Sequence, residues 1–142
     1  AVKSADLRYG EPPPVRGRRL HPDHRAHAVV LAQLSRRIAG GLDDARDAAA
    51  RSAARAAAAE YDPGSASAAA EEVASQTLAA RGVACLNLAV TVEGDLSPGS
   101  VVVVEVTCNV SLADVVLAGF PGSRTVTGRG VEQVDVVRGG QA

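Results

Sequence analysis

The chain has 142 residues, a formal net charge of -1 and an isoelectric point near 6.3. This length predicts one domain, and with one Phe, two Tyr and no Trp or Met the large side chains of its core must be mostly Val and Leu. A near-neutral chain lacks the long-range positive field that favours nucleic acid or an anionic membrane, so we expect no polyanion partner. No apolar run reaches the roughly 18 residues of a membrane span, and we expect no signal peptide at its start.

Residues 1–22 contain three consecutive prolines at positions 12–14 and then an arginine cluster. We expect an extended tail, or a segment of non-native origin, with polyproline II geometry at the prolines. The prolines could instead dock in an aromatic groove, and the arginines could contact phosphate. Because neither motif is reinforced by neighbouring aromatics or further charge, a plain linker is favoured.

A first helix is predicted over residues 23–61. Its N-terminal part carries apolar side chains at steps of three and four, a stripe formed by Val30, Leu31, Leu34, Ile38 and Leu42. Gly40 and Gly41 interrupt this part, and each costs about 1 kcal/mol relative to alanine in a helix. Either the helix bends there, or two segments meet and Asp43 or Asp44 caps the second.

Residues 42–60 are rich in alanine, with charges at helical spacing. A charged line is expected to face solvent, with acids toward its N-terminal end, and consists of Asp43, Asp47, Arg51 and Arg55. The opposite line is almost entirely methyl groups and consists of Leu42, Ala45, Ala49, Ala53 and Ala56. Such a face allows the helix to lie very close to a sheet or another helix.

A second helix is predicted over residues 65–81. The preceding Asp-Pro-Gly-Ser sequence favours a turn, and Ser65 or Ser67 could cap the helix. Arg81 in its last turn and Gly82 just beyond it predict where it ends.

Strands are predicted within residues 83–137, because the apolar period there changes to two. The first strand should bury Leu86, Leu88, Val90 and Val92. The second should bury Val102, Val104, Val106, Cys108, Val110 and Leu112. Between them, residues 94–99 form a loop whose Pro98 and Gly99 suit the centre of a type II turn, so the two strands are antiparallel.

The C-terminal part of the pattern is weaker. We expect a short helical turn at residues 113–119, a turn at 120–123, and a strand at 124–137 that is broken at Gly128 and Gly130. Residues 138–140 should fray. The predicted fold class is therefore α+β, a single domain over residues 23–142 in which two helices pack on a three- to four-stranded antiparallel meander.

The two cysteines lie at mirrored positions of the predicted hairpin. Antiparallel pairing brings Cys85 and Cys108 close together, which favours a disulfide. Strict alternation puts Cys85 on the polar face and Cys108 on the apolar one, so direct opposition requires a bulge or register offset near Cys85. Two buried free thiols are the alternative. A disulfide would indicate an oxidising, extracytoplasmic location.

Candidate chemistry is sparse. His21, His24 and His27, near Asp23, could place two imidazoles on one helix face as a metal site, but no further histidine completes it and a solvated helix start is favoured. A nucleophile elbow and a phosphate-cradling glycine loop are both missing from the sequence. We therefore predict no catalytic, metal or cofactor-binding residues, and we give no weight to the glycosylation sequon at Asn109.

The order of these features resembles the TadE-like (TadE/TadG) pilus-assembly proteins of actinobacteria. The resemblance spans about residues 42–132 and rests on four features: the DARDAAARSAARAAA segment, the Arg-Gly-Val sequence at 81–83, one cysteine per hairpin strand, and LADVVLAGFPGSRTVTGRG. It implies a pilin-like minor pseudopilin without enzymatic activity or cofactor, whose N-terminal membrane helix continues into the alanine-rich segment. Residues 25–41 stand where family members carry that membrane helix, so either the anchor has been removed or replaced in this sequence, or this member is soluble; the resemblance implies anchoring for the parent protein.

The resulting hypothesis is a non-enzymatic assembly component of an extracytoplasmic tight-adherence pilus system. A secreted or surface-anchored binding or adhesion module, with its ligand at the hairpin or its 94–99 loop, is the alternative, and a small secreted enzyme is a third. The expected partners are other pilus subunits or a second copy, which would bind the stripe because the stripe is longer than the sheet can cover. Alternatively, residues 23–41 fold back at Gly40 and Gly41 and cover the monomer's own surface.

Overall fold

The computed structural model describes residues 24–112 and 122–140. The predicted tail at 1–22 and helical turn at 113–119 lie outside them, as does most of the turn at 120–123. The described elements are helices α1 (His24–Ala59) and α2 (Pro63–Ala80), strands β1 (Cys85–Gly94), β2 (Val101–Ser111) and β3 (Ser123–Gln133), and a 3₁₀ helix at Val136–Gly140.

The three strands form one antiparallel sheet in the order β1-β2-β3. Helix α1 lies over β2 and β3, and α2 lies over β1 beside α1, so the fold has one layer of helices and one of strands. The α+β prediction is confirmed. A fourth strand is not found within the described residues.

The core between the two layers is aliphatic, as the composition predicts. The inward face of β2 supplies its centre, because Val102, Val104 and Val106 have no exposed surface. The bulkiest side chains that are almost completely buried are Leu78, Val102, Val104, Val106, Val126, Val134 and Cys108. Everything else that α1 and α2 bury, apart from Leu42, is alanine.

Helix α1 approaches β3 through two glycines. An added Cβ on Gly128 would lie 2.8 Å from the carbonyl oxygen of Arg46, and one on Gly130 would lie 2.5 Å from the carbonyl carbon of Ala50 and closer still to its oxygen. The prediction that these glycines break the strand is wrong: β3 continues through both. They leave room for the helix backbone to lie directly on the strand.

The buried surface of α1 is wider than one line of methyl groups. Ala45, Ala49 and Ala53 are buried as predicted, but Ala56 is only half-buried. The reason is that α1 contacts both α2 and the sheet, so a second line is also buried and consists of Ala50, Ala54, Ala57 and Ala58.

The predicted charged line of α1 is only partly solvent-facing. Arg51 and Arg55 are exposed, whereas Asp43 is half-buried because it lies near β3, with its Oδ1 3.2 Å from Arg46 Nη1 and 3.6 Å from Arg124 Nη2. Position along the helix therefore decides which charges face water.

Helix α2 begins earlier than predicted. Asp62, in an extended conformation, is its N-cap, and Pro63 occupies the first turn. The Asp62 Oδ1 accepts a hydrogen bond from the Ser65 backbone N–H at 2.9 Å, and its Oδ2 accepts one from the Ser65 hydroxyl at 2.6 Å. The bonds from Ser65 lower the pKa of Asp62. Ser65 thus bonds to the cap and is not the cap itself.

The end of α2 and the turn between β1 and β2 lie at their predicted positions, whereas α1 ends at Ala59, before the predicted Tyr61, and β3 ends at Gln133, before the predicted residue 137. Helix α2 stops before Arg81, and Gly82 has a φ of +73°, the left-handed conformation that follows many helices. In the β1–β2 connection, the Ser100 N–H donates to the Ser97 carbonyl at 3.0 Å, and Gly99 has a φ of +82°. These are the features of the predicted type II turn.

Candidate functional site

The N-terminal part of α1 extends beyond the rest of the domain. With 36 residues the helix is about 54 Å long, whereas the 11 residues of β2 span about 36 Å. In the region that we call the overhang, residues 24–37 of α1, every side chain whose burial is described is exposed. The overhang is therefore a surface that α2 and the sheet do not cover.

The predicted stripe runs from the overhang into the core. Val30 is 60% exposed and Leu34 is 53% exposed, and Leu31 is also exposed. One turn further on, Ile38 is half-buried against the core, and Leu42 is 7% exposed. Because these residues are three or four apart, they share one face of α1. The structure thus brings the five residues into one row, of which three are open to solvent.

The helix does not break at Gly40 and Gly41. Helix α1 is continuous from His24 to Ala59, so these residues form a single helix. The alternative of two segments, the second capped by Asp43 or Asp44, is not observed. The fold-back alternative is likewise not observed, since residues 24–37 are helical and exposed. The overhang carries only basic charges, from Arg25, Arg36 and Arg37, in addition to His24 and His27.

Two of the three histidines lie at the far end of this surface. His24 and His27 are exposed in the first turn of α1, and His21 lies outside the described residues. Within the parts of the chain that the structure describes, no group of three or more His, Cys, Asp or Glu side chains is arranged to hold a metal ion. No helix among those same residues is long and apolar enough to cross a membrane.

The disulfide between Cys85 and Cys108 is present, with the two Cα atoms 5.4 Å apart. The predicted irregularity is present too: β1 shifts register between Cys85 and Asn87, so Cys85 pairs with Val110 and Leu88 pairs with Cys108. The extra residue in this bulge is Leu86. It is 61% exposed, so the prediction that it joins the apolar face is wrong.

The bulge explains how both sulfur atoms reach the same side of the sheet. By adding one residue, it changes which positions of β1 face inward, so that Cys85 joins Leu88 in contact with the core. Cys108 itself has no exposed surface. The disulfide therefore joins β1 and β2 covalently on the core side of the sheet, at the end of the hairpin away from its loop.

A contact at the C-terminus was missed by sequence reasoning. The prediction that residues 138–140 fray is wrong for Arg138, because its Nη1 donates to the Ala58 carbonyl at 2.7 Å and its Nη2 donates to the Ala59 carbonyl. Its guanidinium also lies 3.6 Å from the centroid of the Tyr61 ring. A cation at the C-terminal end of α1 complements the helix dipole and satisfies carbonyls that lack partners within the helix.

A shallow groove of about 360 Å³ lies between the 94–99 loop and the start of α2. Tyr61, Ala66 and Leu96 contribute apolar surface, and Asp95 and Ser97 contribute polar groups. Asp95 is already engaged, since its Oδ1 accepts bonds from the Ser97 hydroxyl at 2.8 Å and from the Ser97 N–H at 3.0 Å. The bonds from Ser97 lower the pKa of Asp95. The groove is therefore open to solvent and offers mainly the surfaces of these side chains.

These features define a two-layer α+β protein with a disulfide-locked hairpin and a protruding amphipathic helix. No family model, curated protein or solved structure matches the chain.

Proposed function

We propose that this protein is a non-enzymatic structural or assembly component of an extracytoplasmic, pilus-like apparatus, of the kind that the TadE-like resemblance implies. Its partners are other pilin-like subunits or a second copy of itself, which bind the stripe on the overhang. The observation that carries the proposal is the exposure of Val30, Leu31 and Leu34 on a helix whose next turns are anchored in the core.

Three physical points support this role. Apolar side chains in a row on a rigid helix are the surface that a second helix packs against in bundles and coiled coils. The alanine-rich part of α1 is held by the sheet and α2, so the overhang is presented in a fixed direction. The disulfide suits an environment outside the cytoplasm.

The alternative is a secreted or surface-anchored binding or adhesion module. The groove beside the 94–99 loop is the observation that favours it, because binding residues often lie on loops that a rigid scaffold holds in place. Replacing Leu96 with Arg would fill the groove and abolish ligand binding there, while leaving association through α1 intact. The two roles are thus separable.

The association surface can be tested with substitutions on α1 alone. Val30→Glu together with Leu34→Glu places two charges on the exposed part of the stripe. Ile38 is left unchanged because it packs against the core, where a glutamate would also unfold the domain. The matched control is Val29→Glu: Val29 is 55% exposed on the same overhang, but at 100° per residue it lies on the side opposite Ile38.

Sedimentation equilibrium should show that the parent chain associates, that the double variant associates at least about tenfold more weakly, and that Val29→Glu matches the parent. In the native host, a strain lacking the gene should lose surface pili in electron micrographs. The parent gene should restore them and the double variant should not. Pili of normal number in the deletion strain would refute the assembly role.

A further inference from the structure

We infer that the free edge of β1 is a second association surface, and that its partner is β1 of another copy, paired antiparallel to give one six-stranded sheet. This surface lies on the sheet, away from the overhang, and does not depend on the role proposed for α1. It follows from three observations, on the edge itself, on the residues just inside it, and on the register that two such edges can adopt.

The first observation is that β1, apart from the bulge at Leu86, lacks the features that protect sheet edges. It pairs with β2 on one side, and among the described residues no strand lies on its other side. An open edge presents unpaired N–H and C=O groups, which natural proteins protect with lysines, prolines or inward-pointing charges. Strand β1 contains no lysine, arginine or proline, and its only charge is Glu93, near its end.

The opposite edge of the sheet provides a contrast. Strand β3 carries Arg124 and Glu132 on its inward face, and each lies near an ion-pair partner on α1. The Arg124 Nη2 lies 3.6 Å from Asp43 Oδ1, and the Glu132 Oε2 lies 3.8 Å from Arg55 Nε. Inward-pointing charges of this kind disfavour the addition of another strand. The protein thus protects one edge and leaves the other open.

The second observation is that the core is thinner under β1 than under β2. Leu88, Val90 and Val92 point inward but are only half-buried, whereas Val104 and Val106, in the neighbouring strand, are completely buried. A strand added beyond β1 would place its own inward side chains beside these three. It would cover apolar surface that α2 leaves open.

The third observation is that β1 is complementary to itself. A two-fold axis at Val90 pairs residues 87–93 of the two copies, the whole strand between the bulge and Gly94. On the inward face Val90 then meets Val90, and Leu88 meets Val92. On the outward face Ala89 meets Thr91. A shift by one residue would oppose inward and outward faces. A shift by two toward the N-terminus would shorten the paired segment or include the bulge, and a shift by two toward the C-terminus would include Gly94, whose φ of +113° is not that of a regular strand.

The charges also fit this register. Glu93 is opposite Asn87 of the other copy, an amide that can donate a hydrogen bond to the carboxylate, and the two Glu93 side chains lie at opposite ends of the paired segment. An isologous interface of this type closes after two copies. Together with association through α1, it would give each copy two different faces for assembly.

The test uses the full chain with Val30→Glu and Leu34→Glu already present, so that association through the overhang is removed. In this background we expect a monomer–dimer equilibrium by sedimentation. Adding Ala89→Lys and Thr91→Lys places four ammonium groups around the two-fold axis, because both residues are exposed on the outward face. Like charges in direct opposition cost several kcal/mol, so the dissociation constant should rise about 100-fold.

The control is a pair of lysines at Thr125 and Val131, which are exposed on the outward face of β3 in the same sheet. These should leave the dimer unchanged. Amide hydrogen exchange adds a second readout: backbone amides in residues 87–93 should gain protection as concentration rises, while those of β3 should not. Circular dichroism of each variant confirms that the sheet is folded.

Several outcomes would overturn the inference. If Val30→Glu with Leu34→Glu already abolishes all association, β1 is not an interface and the role proposed for α1 stands. If the lysines at 89 and 91 leave the dimer intact, the interface lies elsewhere. If the chain is monomeric and its β1 amides are protected at every concentration, another segment of the same chain covers the edge. Dimerisation that withstands the glutamates and is lost with the lysines supports β1 as an interface. If the glutamates also leave the association of the parent chain as strong as before, the stripe is not an association surface.

Discussion

Alanine at position 130 should destabilise this fold strongly although it adds only one methyl group. That carbon would lie 2.5 Å from the carbonyl carbon of Ala50 and 3.0 Å from the backbone nitrogen of Arg51. Both atoms belong to the backbone of α1, so no side-chain rotation relieves the contact. The helix or the strand must move, and overpacking of this kind typically costs about 1–3 kcal/mol. Because the neighbouring atoms are rigid, we expect Gly130→Ala to cost about 2–3 kcal/mol.

Gly41→Ala is the matched control. An added Cβ there meets no atom within 4 Å, and alanine is about 1 kcal/mol better than glycine within a helix, so this variant should be more stable than the parent. With an unfolding entropy of about 0.3 kcal/mol per kelvin for a domain of this size, Gly130→Ala should lower Tm by roughly 7–10 °C. Gly41→Ala should raise it by roughly 3 °C.

The assay is thermal and urea unfolding followed by far-UV circular dichroism, on both variants at the same low concentration. Gly128→Ala supplies an intermediate case, because its added carbon would lie 2.8 Å from the Arg46 carbonyl oxygen. A Gly130→Ala protein as stable as the parent would show that α1 does not rest on β3 through these glycines. If Gly128→Ala were less stable than Gly130→Ala, the result would contradict these distances.

Replacing Cys85 and Cys108 with alanine should lower the free energy of unfolding by about 3 kcal/mol in urea, which is the chain-entropy value for a bond across 23 residues. Alkylation of two thiols in the unreduced native protein would show that no bond forms. Arg138→Ala should lower stability by about 1–2 kcal/mol, because it removes hydrogen bonds to two carbonyls of α1 and the contact with the Tyr61 ring. Arg129→Ala, which changes an exposed side chain, should be neutral. The pKa of Asp62 is lower in the folded protein than the ordinary aspartate value of 3.8, so its bonds to the start of α2 stabilise the fold fully above that pH. This stabilisation is lost as the pH falls through the pKa of the folded state. Asp62→Ala should therefore flatten the acid limb of a stability–pH profile, and an unchanged limb would refute this.

Local patterns predicted which segments form helices and which form strands. The steps of three and four in the stripe, the period of two in β2, and the Pro-Gly turn at 98–99 are each complete within a few residues, so no distant partner is needed to interpret them. The demand for a bulge near Cys85 was also predictable. With strict alternation Cys85 would face the polar side of the sheet and Cys108 the apolar side, so a bond between them requires an extra residue. In the structure that residue is Leu86.

Predictions failed where a residue's role depends on a distant segment. A glycine in a strand pattern can mark a break or a close approach, and only the position of α1, about 80 residues earlier in the chain, decides between them for Gly130. Arg138 likewise bonds to carbonyls 79 and 80 residues away. The start of α2 is different, because Asp62 followed by Pro63 and Ser65 is a capping pattern complete within four residues. The prediction that Ser65 or Ser67 caps α2 overlooks it.

The disulfide also decides how the chain would carry mechanical tension. If a force is applied between the overhang and β3, the covalent path runs through α1 and α2 to Cys85, crosses the sulfur bridge, and continues from Cys108. Most of β1, the 94–99 loop and most of β2 lie off that path and bear no direct load. At about 3.6 Å per residue, the bridge removes roughly 80 Å from the length to which the chain can be pulled. Under load the hairpin would thus remain closed after α1 had been drawn away from it, and reduction of the bond would add that length to the extended chain.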